Sequence, residues 1–237
     1  MTTKIRISGK NLGKFALPNA CPRCLYLQLR TQVRLPYQKF PGIFNTIDRY
    51  TKIVTESWWS AHNQAPSWLR EFGSIKCLLP TPHHATFFSI DLTTNVMLTG
   101  DPDAVCQMQD GSLAILDYKT AKFTAGQDEL LPIYETQLNS YAWLAEMLGM
   151  GKVSTLGLIY FEPLTDISTE CIDDFADADG FSMKFSAKVL PLDLQLDRIP
   201  PLLHQVRSIF DLAKAPTGRD GCRDCKLLDG LLKTVMN

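Results

Sequence analysis

The residues best suited to chemistry are two aspartates and a lysine near the middle of the chain. Gly100-Asp-Pro-Asp103 is followed by Asp117-Tyr-Lys119. Two carboxylates make an oxygen-rich site for a hard divalent cation such as Mg²⁺ or Mn²⁺. Such a cation offsets charge on phosphoryl oxygens and acidifies water. A nearby ammonium, Lys119, can orient the attacking water or stabilise the developing negative charge. The backbone carbonyl of Tyr118 offers a further oxygen ligand. An isolated Asp-x-Lys is common, but here it ends the apolar run Leu113-Ala-Ile-Leu116, where ionised groups are costly unless they have a task.

These groups need two neighbouring strands to bring them together. From residue 85 the pattern approaches a period of two, predicting strands over Ala85–Asp91, Val96–Thr99, Ala104–Met108 and Ser112–Tyr118. Asp110-Gly111 between the last two is a hairpin signal. In that hairpin the ends carrying Asp103 and Asp117 lie opposite one another, and Asp117 and Lys119 share a face. A helix predicted over 133–148 and closed by Gly149 carries Gln137 and Tyr141, which lie one turn apart on one side and can reach back over the site.

The remaining pattern predicts a mixed α/β chain. A helix is expected over 43–62, with Ile43, Ile47, Tyr50, Val54 and Trp58 as its apolar face. A buried strand is expected at Leu156–Tyr160, and a half-wet strand through Phe181, Met183, Phe185, Ala187 and Val189. The last expected helix covers 195–213. Residues 1–20 read as basic and irregular, Leu25–Leu29 as the start of a helix, and Pro36 and Pro41 as loop markers.

Cys21-Pro-Arg-Cys24 and Cys222-Arg-Asp-Cys225 lie near opposite ends of the chain. Each pair is a two-point chelate; a shared four-thiolate metal site that ties the ends together is expected ahead of incidental pairs or a redox dithiol, and tetrahedral zinc is its simplest occupant. Cys77, Cys106 and Cys171 stand singly and read as core residues.

The order Gly-x-x-Asp, then a strand ending Asp-Tyr-Lys-Thr, then Gln-x-x-x-Tyr on a helix resembles the RecB-like branch of the PD-(D/E)XK nuclease superfamily, best over 98–145 and again at the cysteine pairs. The resemblance implies a restriction-endonuclease-like core, a central mixed sheet flanked by helices. It implies Asp103 and Asp117 as metal ligands, Lys119 as the catalytic lysine, and Gln137 and Tyr141 as supporting site residues. It also implies a [4Fe–4S] cluster on Cys21, Cys24, Cys222 and Cys225, with Zn²⁺ as the alternative. Related iron–sulfur nucleases usually divide their cysteines one and three, whereas this chain has two and two. Members often add a metal-binding histidine on an early helix. Here that helix reads Gly42-Ile-Phe-Asn-Thr-Ile-Asp48, so Asn45 or Asp48 would have to supply an oxygen instead. His62 lies too far along, and His83 and His84 read as surface or structural residues.

Length and composition fit this reading. A chain of 237 residues, 45% hydrophobic and 21% charged, suits one domain, with its catalytic core at about 85–160 and cysteine-bearing ends at 15–30 and 217–230. With a net charge of −1, nucleic-acid contacts must be local. The candidates are Lys4, Arg6, Lys10, Lys14, Arg23, Arg30, Arg34, Lys119 and Lys122, with Tyr26, Tyr37, Trp58 and Trp59 near the first of them in sequence; they read either as a groove suited to single-stranded DNA or equally as a solvated basic face with core aromatics. Asp173, Asp174, Asp177 and Asp179 read as an exposed loop. No apolar run suits a membrane span or a signal peptide, so a cytoplasmic location is expected. The leading expectation is a Mg/Mn-dependent deoxyribonuclease, an exonuclease among the options, acting on single strands or DNA ends in repair, recombination or defence. A catalytically weak nucleic-acid-binding module and a structural subunit of a larger complex are the rivals.

Overall fold

The computed structural model describes residues 3–31, 41–124, 129–166 and 169–236, excluding the side chains of 169–171. The elements in chain order are β1 (Ile5–Ser8), α1 (Gly9–Gly13), α2 (Pro22–Thr31), α3 (Ile43–His62), β2 (Ile75–Leu79), β3 (Phe88–Asp91), β4 (Val96–Thr99), β5 (Ala104–Met108), β6 (Leu113–Lys119), α4 (Leu131–Met147), β7 (Val153–Pro163), β8 (Ala176–Asp177), β9 (Gly180–Phe181), β10 (Phe185–Leu192), α5 (Ile199–Phe210) and α6 (Arg223–Met236). The expected loop at Pro36, Arg34, Tyr37 and the Cys171 side chain lie outside the described residues.

The central sheet has the order β10-β7-β6-β5-β2 and is mixed. The β6–β7 pair is parallel and its other pairs are antiparallel. A parallel neighbour requires a crossover, and α4 supplies it. A smaller sheet, β1-β4-β3, takes the two strands predicted between 85 and 99 out of the main sheet.

Strand alternation divides the interior into two cores. Leu113 and Ile115 of β6 pack with Leu138 and Tyr141 of α4 and with Ile199, Leu203 and Val206 of α5. Ala114 and Leu116 face the other way, towards Trp59, Leu69 and Phe72. The same period places Asp117 and Lys119 on the α4 side. Helix α4 is buried on most of its circumference, so its polar residues need partners. Ser140 donates to the Thr136 carbonyl at 2.7 Å; Asn139 donates to the Asp193 carbonyl at 3.0 Å and accepts the Gln195 N–H at 2.6 Å. Helix α1 lies so close to α4 that a Cβ on Gly13 would come within 2.5 Å of the Ile133 carbonyl oxygen.

The structure corrects several expectations. Helix α3 has the predicted span, but its buried residues are Thr51, Thr55 and Trp59. Ile43, Tyr50 and Val54 are exposed. Threonine can face inward here because its hydroxyl is satisfied within the helix: Thr51 donates to the Ile47 carbonyl at 2.9 Å and Thr55 to that of Thr51 at 3.0 Å. The strand expected from Phe181 to Val189 is two elements, β9 and β10, and Phe181 is exposed. Part of the region read as irregular forms β1 and α1. Cys106 is fully buried, as expected of a core residue, while Cys77 is half-buried. The four aspartates between 173 and 179 are exposed, as expected. No helix among the described residues is long and apolar enough to cross a membrane.

Candidate active site and cysteine cluster

Pairing of Ala104 with Leu116 sets the residue before β5 against the end of β6. Asp103 and Asp117 therefore meet at the floor of a cleft of about 360 Å³. Its walls include Arg6, Ser8, Lys10, Asp48, His84 and Asp101, with Tyr118, Lys119, Gln137 and Tyr141 beside the two aspartates.

Each predicted site residue has a defined partner. Asp117 is 3% exposed. One of its oxygens holds the Lys119 ammonium, and the other accepts from Gln137 Nε2 at 2.8 Å. The same nitrogen donates to the Tyr141 hydroxyl, also at 2.8 Å. Lys119 further reaches Gln137 Oε1 at 3.5 Å and sits 4.2 Å from the centre of the Tyr134 ring. Asp103 accepts the Tyr118 N–H at 2.7 Å on one oxygen. The Tyr118 ring points to the opposite side of the sheet and meets Phe161 edge-on. Gly100 leaves room for the edge-on contact of Phe87 with Tyr141: a Cβ there would strike their rings at 2.7 and 2.8 Å.

Burial, followed by the negative charge of Asp117, pushes the Asp103 carboxyl up to about 6, while Lys52 and the Tyr118 N–H limit the rise. Two buried carboxylates with this mutual repulsion suit a divalent cation held by oxygen ligands. Because the folded pKa lies above the unfolded one, the stability this group contributes is full below about pH 4 and is lost as pH rises through about 6. A cation held by Asp103 would require the ionised form, so Mn²⁺ affinity would then be level above about pH 7 and fall towards tenfold per unit below about pH 6. Calorimetric titration across that range checks this, and a flat profile would contradict it.

Sequence reasoning missed Lys52, whose ammonium lies 2.7 Å from Asp103 and 3.2 Å from Asp48. The available signal was the i, i+4 spacing of Asp48 and Lys52 on a helix. His84 is exposed, as the sequence reading of a surface or structural residue allowed, and lines the cleft. Nothing in its sequence context marked it. Of the two oxygen donors suggested on α3, Asp48 lines the cleft, whereas Asn45 is not among the lining residues. His62 stacks on Trp58 with ring centres 3.9 Å apart.

The basic and aromatic groups expected to share one groove are largely engaged elsewhere. Arg23 pairs with Asp229, Arg30 lies 4.5 Å from the Phe210 ring centre, Lys14 binds Gln28, and Trp59 is buried in the core. Among the described members of that set, Arg6, Lys10 and Lys119 line the cleft.

Outside the cleft, Cys21 immediately precedes α2 and Cys24 lies in its first turn; Cys222 and Cys225 repeat this arrangement on α6. All four sulfurs lie within 4.8 Å of one another. Two helix N-termini, whose N–H groups favour anions, converge on this thiolate set. Burial would raise the Cys21 thiol, but hydrogen bonds led by the Arg219 and Cys24 N–H groups bring it down to about 6. Burial pushes Cys225 up to about 11. Arg23 and Asp229 bridge the same helices at 2.8 and 3.1 Å.

A family model of the PD-(D/E)XK nuclease superfamily matches residues 34–229. No curated protein matches the chain. Among solved structures, the one described as "Crystal structure of SSO0001" is 13% identical, with a TM-score of 0.43 over 91% of this chain and 81% of the other.

Proposed function

The chain belongs to the PD-(D/E)XK nuclease superfamily, and from that premise we propose that it is a Mg²⁺- or Mn²⁺-dependent deoxyribonuclease of the RecB-like branch that hydrolyses single-stranded DNA or DNA ends. The observation carrying this reading is the gathering of Asp103, Asp117, Lys119 and Gln137 at the floor of one cleft. Asp103 and Asp117 would hold the cation, with the Tyr118 carbonyl as a further ligand. When bound, the cation offsets negative charge on the phosphoryl oxygens and acidifies water.

The protein groups do the rest. Gln137 fixes Asp117 and is itself tied to Tyr141, so the carboxylate is oriented before substrate arrives. Lys119 projects its ammonium beside the same carboxylate, where it stabilises charge developing on the scissile phosphate. Arg6 and Lys10 line the cleft with these groups and suit flanking phosphates. A cleft of about 360 Å³ is at the small end for ligand sites and has room for one nucleotide. The whole chain would act as one nuclease domain.

The cysteine cluster has a structural role in this reading. Sulfurs held by zinc at about 2.3 Å in a tetrahedron are about 3.8 Å apart. The Cys21–Cys225, Cys24–Cys222 and Cys24–Cys225 separations are 3.5, 3.6 and 3.7 Å. A cubane cluster, whose thiolates bind four separate irons, spreads its sulfurs farther. The spacing favours Zn²⁺ over [4Fe–4S].

Labelled single-stranded DNA, blunt duplex and RNA, each incubated with protein and Mn²⁺, test the substrate assignment. Single-stranded DNA is expected to be cut fastest. Preference for the duplex interior or for RNA would overturn it.

A further inference from the structure

Asp103 has two carboxylate oxygens, and both are engaged. One accepts the Tyr118 N–H, a backbone contact set by the pairing of β5 with β6. The other holds the Lys52 ammonium at 2.7 Å. Lys52 comes from α3, whose position on the sheet is fixed by the buried Thr51, Thr55 and Trp59. Its ammonium also lies 3.2 Å from Asp48, one turn earlier on the same helix. Burial would lower the Lys52 pKa, but Asp103 and Asp48 outweigh it and keep the group charged. A fixed positive charge thus rests on the oxygen that a divalent cation would use.

We propose that Lys52 is a built-in competitor at the metal site, an ammonium that neutralises Asp103 before metal arrives and withdraws to Asp48 when the cation binds. This inference rests on the reading of Asp103 and Asp117 as metal ligands. Metal loading is then an exchange of cations on one carboxylate oxygen. Asp48 lowers the cost of the exchange, because Lys52 retains a partner after release. An ammonium and a divalent ion cannot share that oxygen at contact distance without strong repulsion. Lys52 therefore weakens metal affinity, and Asp48 acts through Lys52 to restore part of it.

Mn²⁺ titration of the DNA-free protein, by calorimetry and by loss of the free-ion electron paramagnetic resonance signal, tests this. Asp117→Ala serves as the blank, and circular dichroism verifies folding. Lys52→Met is expected to bind Mn²⁺ about tenfold more tightly than the unaltered protein. Lys52→Gln, which keeps a donor but no charge, should behave alike if the methionine variant misfolds. Asp48→Asn should weaken binding several-fold in the unaltered background and have no effect on top of Lys52→Met, since its influence runs through the lysine. Unchanged or weaker binding by both folded Lys52 variants would overturn the proposal. So would an Asp48→Asn effect that persists without Lys52, which would make Asp48 a ligand itself. If the unaltered protein binds no more Mn²⁺ than Asp117→Ala, the metal site fails, and the competitor with it.

Discussion

Lys119→Ala is expected to bind Mn²⁺ at least as well as the unaltered protein yet cleave labelled single-stranded DNA about a thousandfold more slowly. The ammonium contacts Asp117 directly, so its removal frees a carboxylate for the cation. What disappears is the positive charge beside the phosphate as it gains negative charge, an interaction made strongest in the transition state. Asp117→Ala is expected to lose both properties, because the buried carboxylate is the ligand and the anchor for Lys119 and Gln137. Measuring binding and turnover on the same preparations separates the two roles. Equal cleavage by all three proteins would trace the activity to a contaminant and remove the enzyme from the account. Loss of Mn²⁺ binding in Lys119→Ala would assign the lysine to building the site.

The second large effect is expected at residues that do not line the cleft. The four cysteines join α2, near one end of the chain, to α6 near the other. Metal bound there cross-links segments that only the folded state brings together, so its binding energy is folding energy. Cys21→Ser with Cys225→Ser should remove one equivalent of bound metal and destabilise the protein by about 4 kcal/mol or more, well below the apparent 10–16 kcal/mol of isolated zinc modules. For a chain of this size that corresponds to a fall of roughly 10 °C in melting temperature. A colourless protein containing one zinc per chain fits the sulfur spacing. A brown protein with iron and sulfide in equal amounts would replace zinc with a cluster. An unchanged melting temperature in the double variant would show that the Arg23–Asp229 bridge and helix packing hold the ends without metal.

The two predictions draw on parts of the chain that were legible to different degrees. The hairpin of β5 and β6 was readable because its turn, its alternation and its buried strand are local signals. With it came the facing of Asp103 and Asp117 and the shared side of Asp117 and Lys119. Gln137 and Tyr141 followed from helical spacing. Strand β1 was not readable: it is four residues long, and its pairing with β4 is parallel and distant in sequence. Strand β2 was hidden among Gly73, Pro80 and Pro82, at the edge of the main sheet. The span of α3 was predicted correctly but its orientation was not. The apolar stripe favoured Ile43, Tyr50 and Val54, yet the contact is made by threonines that satisfy their hydroxyls within the helix and by Trp59. That rotation decides which charged residues of α3 reach Asp103, so the i, i+4 spacing of Asp48 and Lys52 could pair them with each other but could not by itself set Lys52 on Asp103.

The direct test of the metal site is a crystal structure of the protein with Mn²⁺, using the anomalous signal to locate the ion. The account predicts a peak bound by Asp103 and Asp117, with the Lys119 ammonium beside it and Lys52 moved off Asp103 towards Asp48. At saturating Mn²⁺, a cleft floor without a peak and Asp103 still paired with Lys52 would contradict it.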